Sequence, residues 1–123
     1  MAPKIIIAED NDGIRAVVRM TLEMGDYEII ETDNGQKAFD ALKANPDCAL
    51  LITDLAMPVM DGFELLSKIR HELNNKALPI FVISAEKDAT GAFDHGATRV
   101  IRKPFSPIEL LDAVKRAIQP EQA

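Results

Sequence analysis

Cys48-Ala49-Leu50-Leu51-Ile52-Thr53 is a short apolar run, and the residue that ends it is an acid, Asp54. A run this brief and this apolar fits a β-strand buried on both faces, as the strands of parallel sheets are. Towards the N-terminus, Ile5-Ile6-Ile7-Ala8 repeats the pattern and ends in Glu9-Asp10. Towards the C-terminus, Ile80-Phe81-Val82-Ile83 is entered through Pro79 and ends in Ser84, and Arg99 to Arg102 ends in Lys103-Pro104. Tyr27 to Thr32 reads as a further strand, less apolar than the others and therefore suited to an edge.

Amphipathic stretches separate these strands. Ile14, Val17, Val18 and Leu22 fall at helical spacing between Asp12 and Met24, and Gly25 supplies a stop. Ala38, Phe39, Ala41 and Leu42 make a stripe within Gly35 to Asn45, closed by Asn45-Pro46. Phe63, Leu66, Ile69 and Leu73 mark a third helix from Phe63 to Leu73. From Lys87 to His95 only Ala89, Ala92 and Phe93 offer apolar anchors around Gly91, so any helix there is short. Ser106 reads as an N-cap with Pro107 in the first helical position, and Leu110, Leu111, Val114 and Ile118 continue the helix. Strands alternating with helices predict an α/β fold: a five-stranded parallel sheet with helices on both faces, in the flavodoxin-like order 2-1-3-4-5.

The chain has 123 residues, which suits one domain, and 47% hydrophobic residues, enough to bury a core without staples. Fourteen Lys and Arg against 20 Asp and Glu leave a formal charge of −6. That balance argues against nucleic-acid binding, which needs a basic face. The lone cysteine, Cys48, has no internal partner for a disulfide and reads as a small buried hydrophobe. No stretch approaches the roughly 18 apolar residues of a membrane span. Met1-Ala2-Pro3-Lys4 lacks a signal-peptide pattern, so a cytoplasmic location is expected, with no membrane insertion. Nothing after Gln119-Pro120-Glu121-Gln122-Ala123 offers a second domain, so 1–123 is expected to be a single domain without an output domain.

In a parallel sheet all strands point their carboxyl ends to one edge, and ligands bind there near the switch in strand order. Glu9, Asp10, Asp54, Ser84 and Lys103 are therefore predicted to share an edge. Carboxylates at close range repel one another. A hard divalent cation removes that repulsion and prefers oxygen ligands, and Mg²⁺ in particular binds through one or two carboxylates plus phosphate oxygens. Asp10 and Asp54 suit direct ligation, with Glu9 acting through water. A carboxylate can also act as a nucleophile and form an aspartyl-phosphate. Lys103 then neutralises charge on the transferred group and the Ser84 hydroxyl donates to it, since phosphoryl transfer depends on positioning and charge neutralisation.

Each residue alone has a plainer reading. Asp54 can cap a strand, Asp10 can cap the first helix, Lys103 can snorkel over apolar neighbours, and Ser84 can satisfy a backbone group. Their convergence on one edge favours the joint site. His71 and His95 are lone histidines in polar surroundings. Met20, Met24, Met57 and Met60 read as packing, and Arg99 and Arg102 as exposed strand arginines. No glycine-rich nucleotide loop is present, so ATP is not an expected substrate.

The set Glu9-Asp10, Asp54, Ser84 and Lys103-Pro104-Phe105, with the run Asp54-Leu55-Ala56-Met57-Pro58-Val59-Met60-Asp61-Gly62, resembles the response-regulator receiver family of two-component signalling over essentially the whole chain. The resemblance implies that Asp54 is the phosphoacceptor, that Asp10, Asp54 and the Ala56 backbone carbonyl contact Mg²⁺, and that Glu9 acts through water. It implies Ser84 as the switch hydroxyl, Ala85 as the small residue beside it, Lys103 as the lysine on the phosphoryl group, and a cis peptide before Pro104. The donor would be a histidine kinase or a phosphotransfer protein. The output would be contact with an unidentified downstream protein, without direct nucleic-acid binding. The protein would be a signalling domain and not a conventional enzyme, with self-catalysed phosphotransfer and slow autodephosphorylation.

Two features depart from the family pattern. Val100 stands where an aromatic residue usually swings on phosphorylation. The chain from Ser84 to Lys103 is about three residues shorter than usual, nearly one turn of helix. The resemblance thus implies a complete chemical site and an altered route for the signal. The departures motivate an alternative, a binding module that works without phosphorylation. A metal-dependent phosphatase is a third reading, but neither a second acid-base carboxylate nor a substrate pocket for it is evident.

Overall fold

β1 (Lys4–Ala8) and β3 (Leu50–Thr53) run side by side at the centre of a five-stranded sheet, with Ala8 opposite Thr53. The computed structural model describes residues 2–85 and 89–118, apart from the Thr90 side chain. β2 (Glu28–Thr32) flanks β1, while β4 (Ile80–Ser84) and β5 (Arg99–Arg102) extend the other side. All pairings are parallel and the order is β2-β1-β3-β4-β5, as predicted. β2 is an edge strand, in keeping with its mixed sequence.

Alternation along the strands sorts the core into two layers. Ile6, Ala8, Leu51, Ile80 and Val82 face one side, where they pack with α2 (Gly35–Ala44) and α3 (Gly62–Ser67) through Phe39, Leu42, Leu65 and Leu66. Ile5, Ile7, Leu50, Ile52, Phe81 and Ile83 face the other, against α1 (Asp12–Leu22) and α4 (Pro107–Ile118) through Val18, Leu22, Leu110 and Val114. Between their ends β1, β3 and β4 are apolar on both faces because both faces are covered. Fully burying each large side chain contributes about 1.5–3 kcal/mol before chain entropy is subtracted.

Side chains start the helices where the sequence places them. Asn11 Oδ1 accepts from Ile14 N, Asn34 Oδ1 from Lys37 N, and Asp61 Oδ1 from Glu64 N, each at 2.9 Å. These satisfy amides that have no partner within the helix. Asn11 therefore caps α1, and Asp10, the expected alternative cap, is left exposed beside it. Ser106 caps α4 by accepting from Glu109 N at 3.3 Å.

Two elements differ from expectation. The helix predicted from Phe63 to Leu73 is α-helical only through Ser67 and continues as a π-helical turn, Lys68–Glu72, with Leu73 N donating to Lys68 O at 3.1 Å. The short helix expected from Lys87 to His95 is a 3₁₀ segment, Ala89–His95; the expected start at Lys87 lies outside the described residues. Ala89 and Ala92 anchor it in the core, which is the limit of what its composition allows. Met60 is buried, but Met20 and Met24 are 56% and 61% exposed, so those two are surface residues and not packing.

Candidate acidic site at the sheet edge

Strand register assembles the site. Asp54 N donates to Ala8 O at 3.0 Å, which sets Asp54 beside Glu9 one step past the paired strand ends. Lys103 N donates to Ser84 O at 3.0 Å, which sets Lys103 beside the end of β4. The Lys103 side chain then reaches back across the edge. Its Nζ lies 2.7 Å from Asp54 Oδ2 and 3.1 Å from Glu9 Oε1. One carboxylate oxygen from each of Glu9, Asp10 and Asp54 lies within 4.8 Å of the other two. Ser84 is buried at the end of β4, and the Lys103-Pro104 peptide is cis.

The Asp54 carboxylate is held from two directions. Oδ1 accepts from Leu55 N at 2.6 Å and lies 3.4 Å from Ala56 N, while Oδ2 faces Lys103. The loop that follows folds back on the site. Gly62 N donates to Leu55 O at 2.8 Å, and a Cβ at Gly62 would meet the Asp54 carbonyl and lie 2.8 Å from Leu55 Cα. Only glycine lets α3 begin this close to the acid. Within the loop, Met60 N donates to Pro58 O at 2.7 Å across Val59, whose φ is +69°. That is a tight turn of the strained hand, held at a β-branched residue.

Burial and charge separate the three acids. Asp10 is exposed, whereas Glu9 is 3% and Asp54 7% exposed. Burial pushes Glu9 up from its ordinary 4.5 to about 7; the nearby Asp54 charge adds to this, while the Asn11 amide and Lys103 oppose it. Burial also opposes the charge on Lys103, but its hydrogen bonds to Asp54 and Glu9 outweigh that, and the net shift is upwards. Lys103 is thus the cation that makes two buried acids tolerable. Three carboxylates in reach of one another fit a hard divalent ion, which takes oxygen ligands.

Sequence reasoning placed Glu9, Asp10, Asp54, Ser84 and Lys103 on one edge; the structure brings Glu9, Asp10, Asp54 and Lys103 within reach of one another and sets Ser84 at the end of the neighbouring strand. Ala56 is exposed next to Asp54. Reasoning from residue types missed Arg15, whose guanidinium reaches the Glu9 carbonyl, because an i,i+3 pair with Asp12 is an ordinary helix feature. It also misread His95. The His95 ring packs on Phe63 with centroids 5.0 Å apart, and its Nδ1 lies 3.2 Å from Ser67 Oγ. Arg70 ties the same region down, with Nη2 donating to Gly96 O at 2.6 Å and Nη1 to Asn75 O at 3.1 Å. The Cys48 thiol is half-buried and lies 3.2 Å from Leu50 O. Among the described residues, no helix is long and apolar enough to cross a membrane.

An open parallel sheet with an acid cluster and a lysine on its carboxyl edge defines a doubly wound α/β protein whose polar groups gather where such sheets bind ligands. More specifically, the chain belongs to the response regulator receiver domain family, whose model matches residues 5–115. It is 38% identical over 127 aligned residues to the transcriptional regulatory protein SrrA of Staphylococcus aureus, a match that covers 100% of this chain and 51% of SrrA. The chain therefore spans about half the length of the curated relatives it matches. Among solved structures, the chemotaxis response regulator CheY4 of Vibrio cholerae superposes with a TM-score of 0.83 at 30% identity, covering 95% of this chain and 99% of that one. The receiver domain of a signal transduction histidine kinase from Syntrophus aciditrophicus gives a TM-score of 0.88 at 26% identity, covering 98% and 93%.

Proposed function

We propose that this chain is a receiver that accepts a phosphoryl group on Asp54 from a phosphohistidine of a histidine kinase or phosphotransfer protein, with Mg²⁺, and signals through protein contacts. The observation that carries this reading is the position of Lys103 Nζ, 2.7 Å from Asp54 Oδ2 and 3.1 Å from Glu9 Oε1. A lysine already seated on the nucleophile can follow the negative charge onto the incoming group. Oδ1 is engaged by the backbone at Leu55, so Oδ2 is the oxygen that attacks. The donor's N–P bond breaks, an Oδ2–P bond forms, and the imidazole leaves as the free base or takes a proton from solvent. Asp10 and Asp54 are the carboxylates that would hold Mg²⁺ directly, with Glu9 acting through water and the Ala56 carbonyl as the further protein ligand that the family resemblance implies. Bound there, the ion offsets the charge that the acids and the phosphoryl oxygens share. Ser84, at the end of β4, is the hydroxyl for the phosphoryl group.

Incubation with acetyl phosphate and Mg²⁺ should add one phosphoryl group by intact mass, and beryllofluoride with Mg²⁺ should shift amide resonances around Asp54. Asp54→Asn should remove both effects. A wild-type protein that no small-molecule or phosphohistidine donor modifies is incompatible with the proposal. A second reading, partner binding without phosphorylation, is favoured by the 3₁₀ segment that stands in place of a helix and by the ringless Val100. It requires Asp54→Asn to bind the same partner with unchanged affinity.

A further inference from the structure

We propose that Arg15 is a positioning residue for the Glu9–Asp10 pair, fixing the peptide between them and through it the divalent-cation affinity of the site. The inference rests on the receiver reading above and extends it to a residue outside the acidic set. Arg15 lies in α1 with its side chain 19% exposed. Its Nη1 donates to Glu9 O at 2.8 Å, its Nη2 to Asp12 Oδ1 at 2.6 Å, and its Nε lies 3.4 Å from Glu31 Oε1 on β2. One planar fork thus joins the strand end, the first turn of the helix and the neighbouring strand.

The carbonyl contact gives the arrangement its meaning. Glu9 is held at its amide, which donates to Thr32 O at 3.1 Å, and at its carboxylate, which accepts from Asn11 N at 3.1 Å. Among the described residues none hydrogen-bonds the Asp10 carboxylate, and the residue is exposed. Its direction is set by the Glu9–Asp10 peptide, which is planar and so has its orientation fixed once the carbonyl is fixed. Arg15 is the side chain that holds that carbonyl. An ordinary ion pair with Asp12 or Glu31 would contribute little at this exposure and would not need the third bond. Arginine suits the task because its donors are rigidly arrayed, whereas lysine offers a single mobile ammonium.

The test is a Mg²⁺ titration of the full chain by amide chemical shifts, with metal-free melting curves recorded in parallel, for wild type, Arg15→Ala, Arg15→Lys and Glu31→Gln. Arg15→Ala should weaken Mg²⁺ about tenfold, the low end of the loss when a group that orients a metal ligand is removed. Arg15→Lys should fall between Arg15→Ala and wild type, because charge is kept and the fork is lost. Glu31→Gln, which leaves the carbonyl contact in place, should stay within about twofold of wild type. A Mg²⁺ affinity in Arg15→Ala within twofold of a responsive wild type overturns this inference alone. A wild type with no saturating Mg²⁺ response overturns the receiver reading as well. Should Arg15→Ala fail to fold, Arg15→Lys decides: weakened binding with a near-wild-type melting curve supports the role, and wild-type affinity overturns it.

Discussion

The carboxyl edge of the sheet is built in two ways. At β1 and β3, Glu9 and Asp54 are fixed by backbone amides, by strand register and by Lys103, and the helices that follow, α3 after a tight loop, begin with side-chain caps. Beyond β4, the described chain is a 3₁₀ segment whose buried residues are Ala89 and Ala92. That segment is held from α3 and its π-helical extension, by the Phe63–His95 ring contact and by Arg70 on the Gly96 carbonyl. One side is determined by packing and charge together. The other is secured by a few side-chain contacts from a neighbouring element. On the proposed function, this difference would separate making a modification from reporting it, since the described segment after Ser84 is tied to its neighbours through Phe63 and Arg70.

The largest effect belongs to the acid side. Removing Lys103 as Lys103→Ala should slow phosphorylation by acetyl phosphate about 100-fold, the size of loss expected when one charge-stabilising donor is removed. Mg²⁺ affinity should not fall, because Lys103 Nζ competes with a cation for Asp54 Oδ2 and Glu9 Oε1. A stopped-flow rate together with a metal titration reads both. If rate and Mg²⁺ affinity fell in parallel, Lys103 would be a structural prop for the acids and the two sides of the edge would be alike.

Next in size is a pH effect from Glu9. Its folded value of about 7 lies above the ordinary 4.5, so between those limits the folded state holds more protons than the unfolded chain. The stabilisation is fully present below the ordinary value and is lost as pH rises through about 7. In magnesium-free buffer, the urea-derived stability difference between wild type and Glu9→Gln should change by about 2–3 kcal/mol from pH 4.5 to pH 8, to the disadvantage of wild type. A difference that stays flat across that range would mean that Glu9 is not held against its charge.

Legibility followed the same division. The acid side could be read from sequence because short apolar strands, each ending in a polar residue, need only a parallel register to converge. Asp54 beside Glu9 follows from Ala8 opposite Thr53. The plainer reading of Asp10, as the cap of α1, falls to Asn11 instead, since both are good caps and only geometry chooses. The other side was harder. Phe63, Leu66, Ile69 and Leu73 keep helical spacing whether the turn is α or π. His95 looked polar because its apolar neighbour, Phe63, is 32 positions away in sequence, and such a contact is invisible to local pattern. Arg15 hid its function in a familiar helix pairing.

Two glycines sharpen the contrast further, with Gly96 giving the smallest expected change in stability. At Gly62 a Cβ would press on the backbone of Asp54 and Leu55, which cannot retreat without moving the acid. At Gly96 the φ of +108° is one that other residues rarely adopt, and a Cβ there would lie 2.7 Å from Arg70 Cγ, part of a flexible side chain. Gly62→Ala should therefore cost about 2–3 kcal/mol in urea unfolding, at the upper end of overpacking. It should also reduce the beryllofluoride response. Gly96→Ala should cost about 1–2 kcal/mol, the strain of a left-handed backbone, and leave the response intact. Equal losses of beryllofluoride binding in both variants would show that the 3₁₀ region supports the acid site directly. An intact response in Gly96→Ala with altered resonances in α3 would place the two regions in series, with chemistry first and report second.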